Sequence, residues 1–389
     1  MIIIFWISIF LIVYTFVGYG FVLYILVKIK RIFKKPFVFK ADIPLPTVSI
    51  LVAAYNEEDL IEAKIRNTLQ LDYPKDKIQL IFITDGSSDQ TAAKVSQFQE
   101  ITLLHEDLRA GKMAAIKRAI PLITGEITVF TDANTFLNEA AIQELVKHYQ
   151  NPKVGAVAGE KRILVEEKAD ASSAGEGFYW KYESKLKKLD YELYSNVGAA
   201  GELFSIRTAL YQPVEIDTII DDHMIAMRIA ENGYIIAYEP GAYAMETASA
   251  DIKEELKRKV RIAAGGMQSI LRLKKAANPF HHPVFTFQYI SHRVLRWTIV
   301  PLLLFVAFIL NGIIAFNTQI AFYQILFAFQ VFFYLLSMTG FYFEQRNIRV
   351  KILFIPYYFC MMNYAVLAGI VKYYQKNQSA AWEKSKRKV

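Results

Sequence analysis

Residues 47–58 read TVSILVAAYNEE, from Thr47 to Glu58. The first eight or so are apolar or β-branched with no polar alternation, the pattern of a strand covered on both faces, as in parallel sheets. Tyr55, Asn56, Glu57 and Glu58 then break the run, and 59–69 takes a helical pattern. The same order recurs twice downstream. The apolar run 78–84 ends in Asp85, Gly86, Ser87, Ser88 and Asp89, and 126–131 ends in Asp132, Ala133 and Asn134. Strand, polar turn and helix in repetition predict an α/β domain with a mainly parallel sheet, whose ligands collect beyond the carboxyl ends of the strands. Three acidic turns fall at those ends, a setting suited to a nucleotide held through a divalent cation.

Outward from this core the composition changes. The stretch 2–27 carries no charge, enough to cross a hydrocarbon layer of roughly 30 Å. Lys28, Lys30, Arg31, Lys34 and Lys35 follow it, the reverse of a cleavable leader's flank. It reads as a retained anchor that leaves the next domain in the cytoplasm, and its cations suit anionic membrane lipids rather than nucleic acid. A solvated basic linker would use the same residues. Near the other end, 297–316, 320–343 and 352–374 are three further apolar segments. The link between the last two carries Arg346, Arg349 and Lys351, while Lys372, Lys376, Lys384, Lys386, Arg387 and Lys388 follow the third. Both ends of that third segment therefore ask for the cytoplasm, and Pro356 and Asn363 lie within it. The predicted organisation is an anchor (1–27), a basic linker (28–45), a cytoplasmic domain (46–275), an interfacial amphipathic segment (276–296), a membrane region (297–374) and a basic tail (375–389), which makes a multi-pass protein of the cell membrane. Cys360 is the sole cysteine, so no disulfide forms within the chain.

Asp132 and Asn134 offer oxygen ligands on one turn, a donor pair for a hard cation such as Mg²⁺ that also binds phosphates. On spacing alone an Asx turn capping a helix is the favoured account of them. Asp85 with Gly86 suits a simple turn, and Lys112 after Gly111 suits either a phosphate contact or an exposed helix. Asp221 and Asp222 precede a helical stretch; acids there cap free N–H groups, and paired acids also raise one proton affinity toward that of a general base. His223 reads as a packed or solvated histidine outside any metal set.

Taken together these motifs resemble the family 2 inverting glycosyltransferases, and within them the membrane-bound branch of cellulose, hyaluronan, chitin and poly-N-acetylglucosamine synthases. The similarity runs from about 46 to 266. It implies a GT-A type nucleotide-sugar-binding domain with N- and C-terminal transmembrane helices. On this resemblance Ala54, Tyr55, Glu57, Asp85, Lys112 and Asp132 bind the nucleotide of a UDP sugar, and Asp132 with Asn134 holds Mg²⁺ or Mn²⁺. The segment 198–207, with Gly201, lines the acceptor site. Asp222 stands in the position of the general base, and Asp221, Arg258 and Arg261 face the acceptor or the diphosphate. Direct displacement onto a glycan or lipid-linked acceptor follows. One departure stands out: polymerising members carry Gln-x-x-Arg-Trp, and here Arg261 is followed by Ile262, which has no flat face for a sugar ring. A processive synthase that translocates its product, and a nucleotide-binding scaffold without chemistry, are the competing readings.

Overall fold

The structure is a computed structural model describing residues 1–40, 43–164, 171–247, 252–346, 348 and 350–376. Of the basic residues weighed above, Arg349, Lys384, Lys386, Arg387 and Lys388 lie outside the described residues.

Eight strands form one sheet: β1 (Val48–Ala54), β2 (Ile78–Asp85), β3 (Ile101–Glu106), β4 (Ile127–Asp132), β5 (Phe136–Leu137), β6 (Val154–Leu164), β7 (Phe204–Arg207) and β8 (Ile235–Thr247), in the order β3-β2-β1-β4-β7-β6-β8-β5. Every position of β1 is buried. Val48, Ile50, Val52 and Ala54 face one core with Ile61 and Ile65, while Leu51 faces another with Ile81, Ile83, Met113 and Ile116. Helices on both faces are why the strand shows no polar alternation. The run β3-β2-β1-β4 is parallel, and its register sets Ala54 beside Thr84 and Ala53 beside Asp132. The turns after β1, β2 and β4 thus open on the same edge.

Beyond β4 the sheet becomes mixed. Strand β7 runs antiparallel to both β4 and β6, β6 and β8 are parallel, and β5 is antiparallel to β8. The reversal at β7 has a local cause and a functional effect. Phe204 pairs with Phe130 and their rings stack at 4.6 Å, which anchors the strand. The residues that lead into it, 198–203, are thereby delivered to the end of β4 that carries Asp132.

Among the described residues, four helices are long and apolar enough to cross a membrane: Ile2–Phe33, Ile299–Thr318, Ala321–Gln345 and Ile352–Tyr374. The chain is a membrane protein on this count. The first contains a π turn at Tyr14–Gly18. Ahead of that turn, Phe5 packs among Ala307, Ile314 and Tyr323 of the later membrane helices. Past it, Tyr19 and Leu23 pack on Leu186 of the domain helix Ala171–Leu193. Lys30 donates to the carbonyls of Glu192 (3.0 Å) and Leu193 (2.9 Å) at the end of that helix, where free carbonyls favour a cation. The second half of the anchor is thus a docked element of the domain.

The last helix, Lys351–Tyr374, lies along the domain helix Ile252–Arg272. Phe354, Tyr357, Tyr358 and Met361 meet Ile252 and Leu256 at one end. At the other, a Cβ placed on Gly369 would stand 2.6 Å from the Cβ of Ala263, so the two backbones touch. Both ends of this helix therefore contact the domain helix Ile252–Arg272.

Candidate active site

The nucleotide side of the site is built by the turns after β1 and β2. Asn56 takes a left-handed φ of 52°. Its Oδ1 accepts from the backbone N–H of Ser88 (2.8 Å) and its own N–H donates to Ser87 Oγ (3.2 Å), tying one turn to the other. Gly86 has φ 69°, and a Cβ there would collide with the backbone of Arg109, so the 107–111 loop folds directly over it. Asp85 holds that loop in place. Its Oδ2 accepts from the N–H groups of Ala110 (2.9 Å) and Gly111 (2.6 Å), and its Oδ1 accepts from Arg118 (3.0 Å). A cleft of about 240 Å³ opens here, lined by Ala54, Tyr55, Asp85, Arg109, Gly111 and Lys112. The Arg109 guanidinium lies 3.8 Å from the centre of the Tyr55 ring. Glu57 is buried behind the turn, its backbone N–H donating to Thr91 Oγ1 at 2.8 Å.

Strand β4 supplies the next group. Ala133 is fully buried, so alternation along the turn leaves Asp132 and Asn134 on the open side. Lys112 begins the helix Lys112–Ala119 and donates to Asp132 Oδ1 at 2.9 Å; its Nζ lies 3.3 Å from Asp221 Oδ2. Asp221 and Asp222 form the first turn of the helix Asp221–Glu231, where the helix dipole favours negative charge. Burial and then the neighbouring Asp221 push the Asp222 carboxyl up to about 7, against the pull of Lys112 and the N–H of His223. Lys112 is held above its ordinary range, because Asp132, Asp221 and Asp222 together outweigh its desolvation.

These groups meet at one point. A Cβ placed on Gly201 would lie 3.4 Å from Asp132 Oδ2, 3.4 Å from Lys112 Nζ and 3.6 Å from Asp222 Oδ2. Two carboxylates and an ammonium from three separate stretches of chain thus surround the backbone of a single glycine. No group of three or more His, Cys, Asp and Glu suited to a metal occurs among the described residues. A cation bound at Asp132 and Asn134 would complete its shell from the oxygens of a bound diphosphate and water, which is how Mg²⁺ is ordinarily held. The set already draws positive charge, the Lys112 ammonium, to Asp132, so a metal there would share that carboxylate with Lys112.

Arg258 and Arg261 sit on the helix Ile252–Arg272. Arg258 donates to Glu255 at 2.9 Å and lies 3.7 Å from Glu246. Arg261 donates to the carbonyl of Ile219 (3.4 Å), two residues ahead of Asp221. The same helix grips the approach to Asp221 more firmly through Gln268, which accepts from the N–H of Ile219 (3.0 Å) and donates to the carbonyl of Asp217 (2.9 Å). His223 is buried against Gly198 and the Trp297 ring, and burial pushes its imidazole down to about 3, a neutral packing histidine.

With the geometry in hand, comparison with known proteins is decisive. Residues 49–211 match the family model "Glycosyl transferase family 2". This stretch is a family 2 glycosyltransferase domain. The transferase domain is similar to the poly-beta-1,6-N-acetyl-D-glucosamine synthase of Staphylococcus epidermidis, 28% identical over 235 residues (58% of this chain and 56% of that protein), and to that of Staphylococcus aureus, 30% identical over 238 residues (59% and 56%). The matched stretch therefore spans little more than half the length of these relatives. Among solved structures, mannosyltransferase PcManGT from Pyrobaculum calidifontis, in complex with GDP-Man and Mn²⁺, superimposes with a TM-score of 0.72 at 24% identity, covering 96% of this chain and 100% of that one. The transferase domain has the GT-A fold, and the likeness extends through the membrane helices.

Three residues beside the site escaped the sequence reading. Arg118 holds Asp85, and Glu202 passes its carbonyl to Thr131; neither type or spacing marks them out. Lys64 did leave a signal. It occupies the buried stripe Ile61, Lys64, Ile65, Thr68 of the helix Ile61–Leu69, where an apolar residue belongs.

Proposed function

We propose that this protein transfers a sugar, an N-acetylhexosamine first among the choices, from a UDP sugar to a membrane-tethered glycan or lipid-linked acceptor, with inversion at the anomeric carbon. The observation that carries the reading is the convergence of Asp132, Lys112 and Asp222 about Gly201. The similarity to N-acetylglucosamine polymerases supports the choice of sugar. In this reading the nucleotide enters the cleft bounded by Tyr55, Asp85 and Arg109, with Lys112 beside its diphosphate. Asp132 and Asn134 would hold Mg²⁺ or Mn²⁺, which supplies charge neutralisation for the departing diphosphate.

Asp222 takes the proton of the acceptor hydroxyl as that oxygen bonds to the anomeric carbon. The bond from that carbon to the diphosphate breaks, and UDP leaves with the electron pair. A carboxyl with an affinity near neutrality suits this role, being both partly ionised at pH 7 and basic enough to accept the proton. Asp221, paired with Lys112, raises that affinity. Arg261 and Gln268 act at one remove by seating the 217–221 turn.

The acceptor's tether follows from the same helix. Gly265 of Ile252–Arg272 packs on Ile220, Gly266 on Trp297 where the membrane helices begin, and Ala263 on Gly369 within the last of them. The base is thus one helix away from apolar membrane segments, with the basic cluster from Lys28 to Lys35 marking the cytoplasmic side. Ile262 in place of a stacking aromatic favours short addition over processive growth.

Membranes carrying the protein, given labelled UDP sugars and Mn²⁺ or Mg²⁺, are expected to release UDP and label a lipid-extractable product. Absence of UDP release with any sugar in the presence of either metal sinks the proposal. A long polymer as product would instead establish the synthase reading.

A further inference from the structure

Lys64 has no exposed surface. Its Nζ donates to Thr131 Oγ1 at 3.0 Å and to the carbonyl of Thr135 at 2.7 Å, the two residues that bracket Asp132, Ala133 and Asn134. Burial pushes the Lys64 amine down to about 7, so it is partly neutral there, and in either form it can donate to both groups. The Thr131 hydroxyl has the carbonyl of Glu202 2.9 Å away as an acceptor, with the Thr135 hydroxyl 3.2 Å away beside it. The Thr135 hydroxyl, 3.0 Å from the carbonyl of Asp132 and 3.4 Å from that of Glu202, closes the same small network. Glu202 directly follows Gly201, the residue about which the reacting groups gather.

A path therefore runs from the helix behind the sheet, through the Thr131 hydroxyl, to the loop that faces the acceptor. Burying an amine to pack a helix is costly, and a methionine of similar length would fill the space without it. What the amine adds is a donor that holds the Thr131 hydroxyl and the Thr135 carbonyl together.

We propose that Lys64 is a positioning residue that locks the 198–202 loop onto the Asp132 turn, setting the separation between the departing diphosphate and the Asp222 carboxylate. This rests on the assignment of Asp132 and Asp222 to the two sides of the reaction. Lys64 also holds the Thr135 carbonyl of the Asp132 turn, but that turn keeps a further contact through Lys112, whereas the 198–202 loop depends on the Thr131 and Thr135 hydroxyls.

The test uses the full chain in lipid nanodiscs and compares Lys64→Met, Thr131→Val, Thr131→Ser and the double variant Lys64→Met/Thr131→Val. Misplacement of reacting groups by an ångström or so is worth about 100-fold in rate. Lys64→Met is expected to lower kcat for UDP release by about that order, with Mn²⁺·UDP affinity by calorimetry changed less than about threefold. Thr131→Val is expected to fall the same way, Thr131→Ser to restore turnover, and the double variant to be no worse than the poorer single one, since both cut one path. Unchanged kcat in Lys64→Met, an equal loss of Mn²⁺·UDP binding and turnover, or additive losses in the double variant would each overturn the proposal. Amide hydrogen exchange across 198–203, measured without nucleotide, is an activity-free readout. It should quicken in Lys64→Met and Thr131→Val and stay as in the parent for Thr131→Ser. Unaltered exchange in both loss variants overturns the proposal, as does quickening in Thr131→Ser. If Lys64→Met does not fold, the Val and Ser pair decides by the same two readouts. Failure of the parent protein to bind Mn²⁺·UDP would strike the transferase reading and leave the exchange result standing.

Discussion

The two halves of the sheet solve different problems. From β3 to β4 the strands are parallel, and each site residue sits in the turn that ends its own strand, so Tyr55, Asp85 and Asp132 are placed by local chain. From β7 to β8 directions are mixed, and Gly201 and Asp222 are placed by what packs behind them: the Phe130 and Phe204 stack for one, Gln268 and Gly265 for the other. The first half is preorganised by its backbone and the second by its neighbours. Changes in the strand-end turns of the first half should therefore show in binding of the donor, and changes in the second half, or in the Lys64–Thr131 link that reaches it, in the rate of the chemical step.

The largest effect is expected from Asp222→Asn, which removes the proton acceptor and leaves hydrogen bonding intact. A fall of about 10³-fold in UDP release, with Mn²⁺·UDP affinity kept, is the expected result, and a variant retaining full turnover would break the comparison. Asp132→Ala should come next, losing Mn²⁺-dependent UDP binding outright in calorimetry and turnover by about 10²-fold. If it lost turnover alone, the donor half would not be a binding half. Asp85→Asn should weaken UDP binding by about tenfold, because one carboxylate orders Ala110, Gly111 and Arg118 and the amide cannot accept from all three. Its kcat should hold. Gly201→Ala is the mildest: a methyl 3.4 Å from Asp132 and Lys112 is tolerated sterically but narrows the centre, so kcat should drop a few-fold with thermal stability unchanged.

Acidity sharpens the same contrast. Because the Asp222 carboxyl is pushed up to about 7 in the folded protein, kcat/KM should climb as pH rises through that value, while donor binding, set in the other half, stays level. The stability sign runs opposite. A raised carboxyl affinity favours the fold below the ordinary range near 4, and that advantage is lost as pH rises through about 7. Asp222→Asn should accordingly melt higher than the parent at pH 8, and an equal or lower melting temperature would put the proton elsewhere.

The parallel half was legible in the primary structure because its strands are long apolar runs closed by acidic turns, and because turn and site coincide there. The apolar spans were legible for a similar reason, since length and lack of charge suffice. Strand β7 escaped detection: 198–207 reads as a loop, and only the stacking of Phe204 on Phe130, which are far apart in the chain, makes four of those residues a strand. Asp222 was singled out as a candidate base through resemblance and not through spacing, because an acid at a helix start has a simple capping role as well. Lys64 was overlooked although its place in an apolar stripe was visible, since nothing local shows that its partners are Thr131 and Thr135. The π turn at Tyr14–Gly18 has no composition that announces it.

The contact of Gly369 with Ala263 has a mechanical meaning. Two backbones in direct touch have no layer of bendable side chains between them to absorb a tilt. A change in the inclination of the last apolar helix must therefore reach Gln268 and Ile219 as a rigid displacement of the proton acceptor's seat. If Asp222 is the proton acceptor as proposed, lipid thickness or the tail length of a solubilising detergent is expected to change turnover as well as solubility.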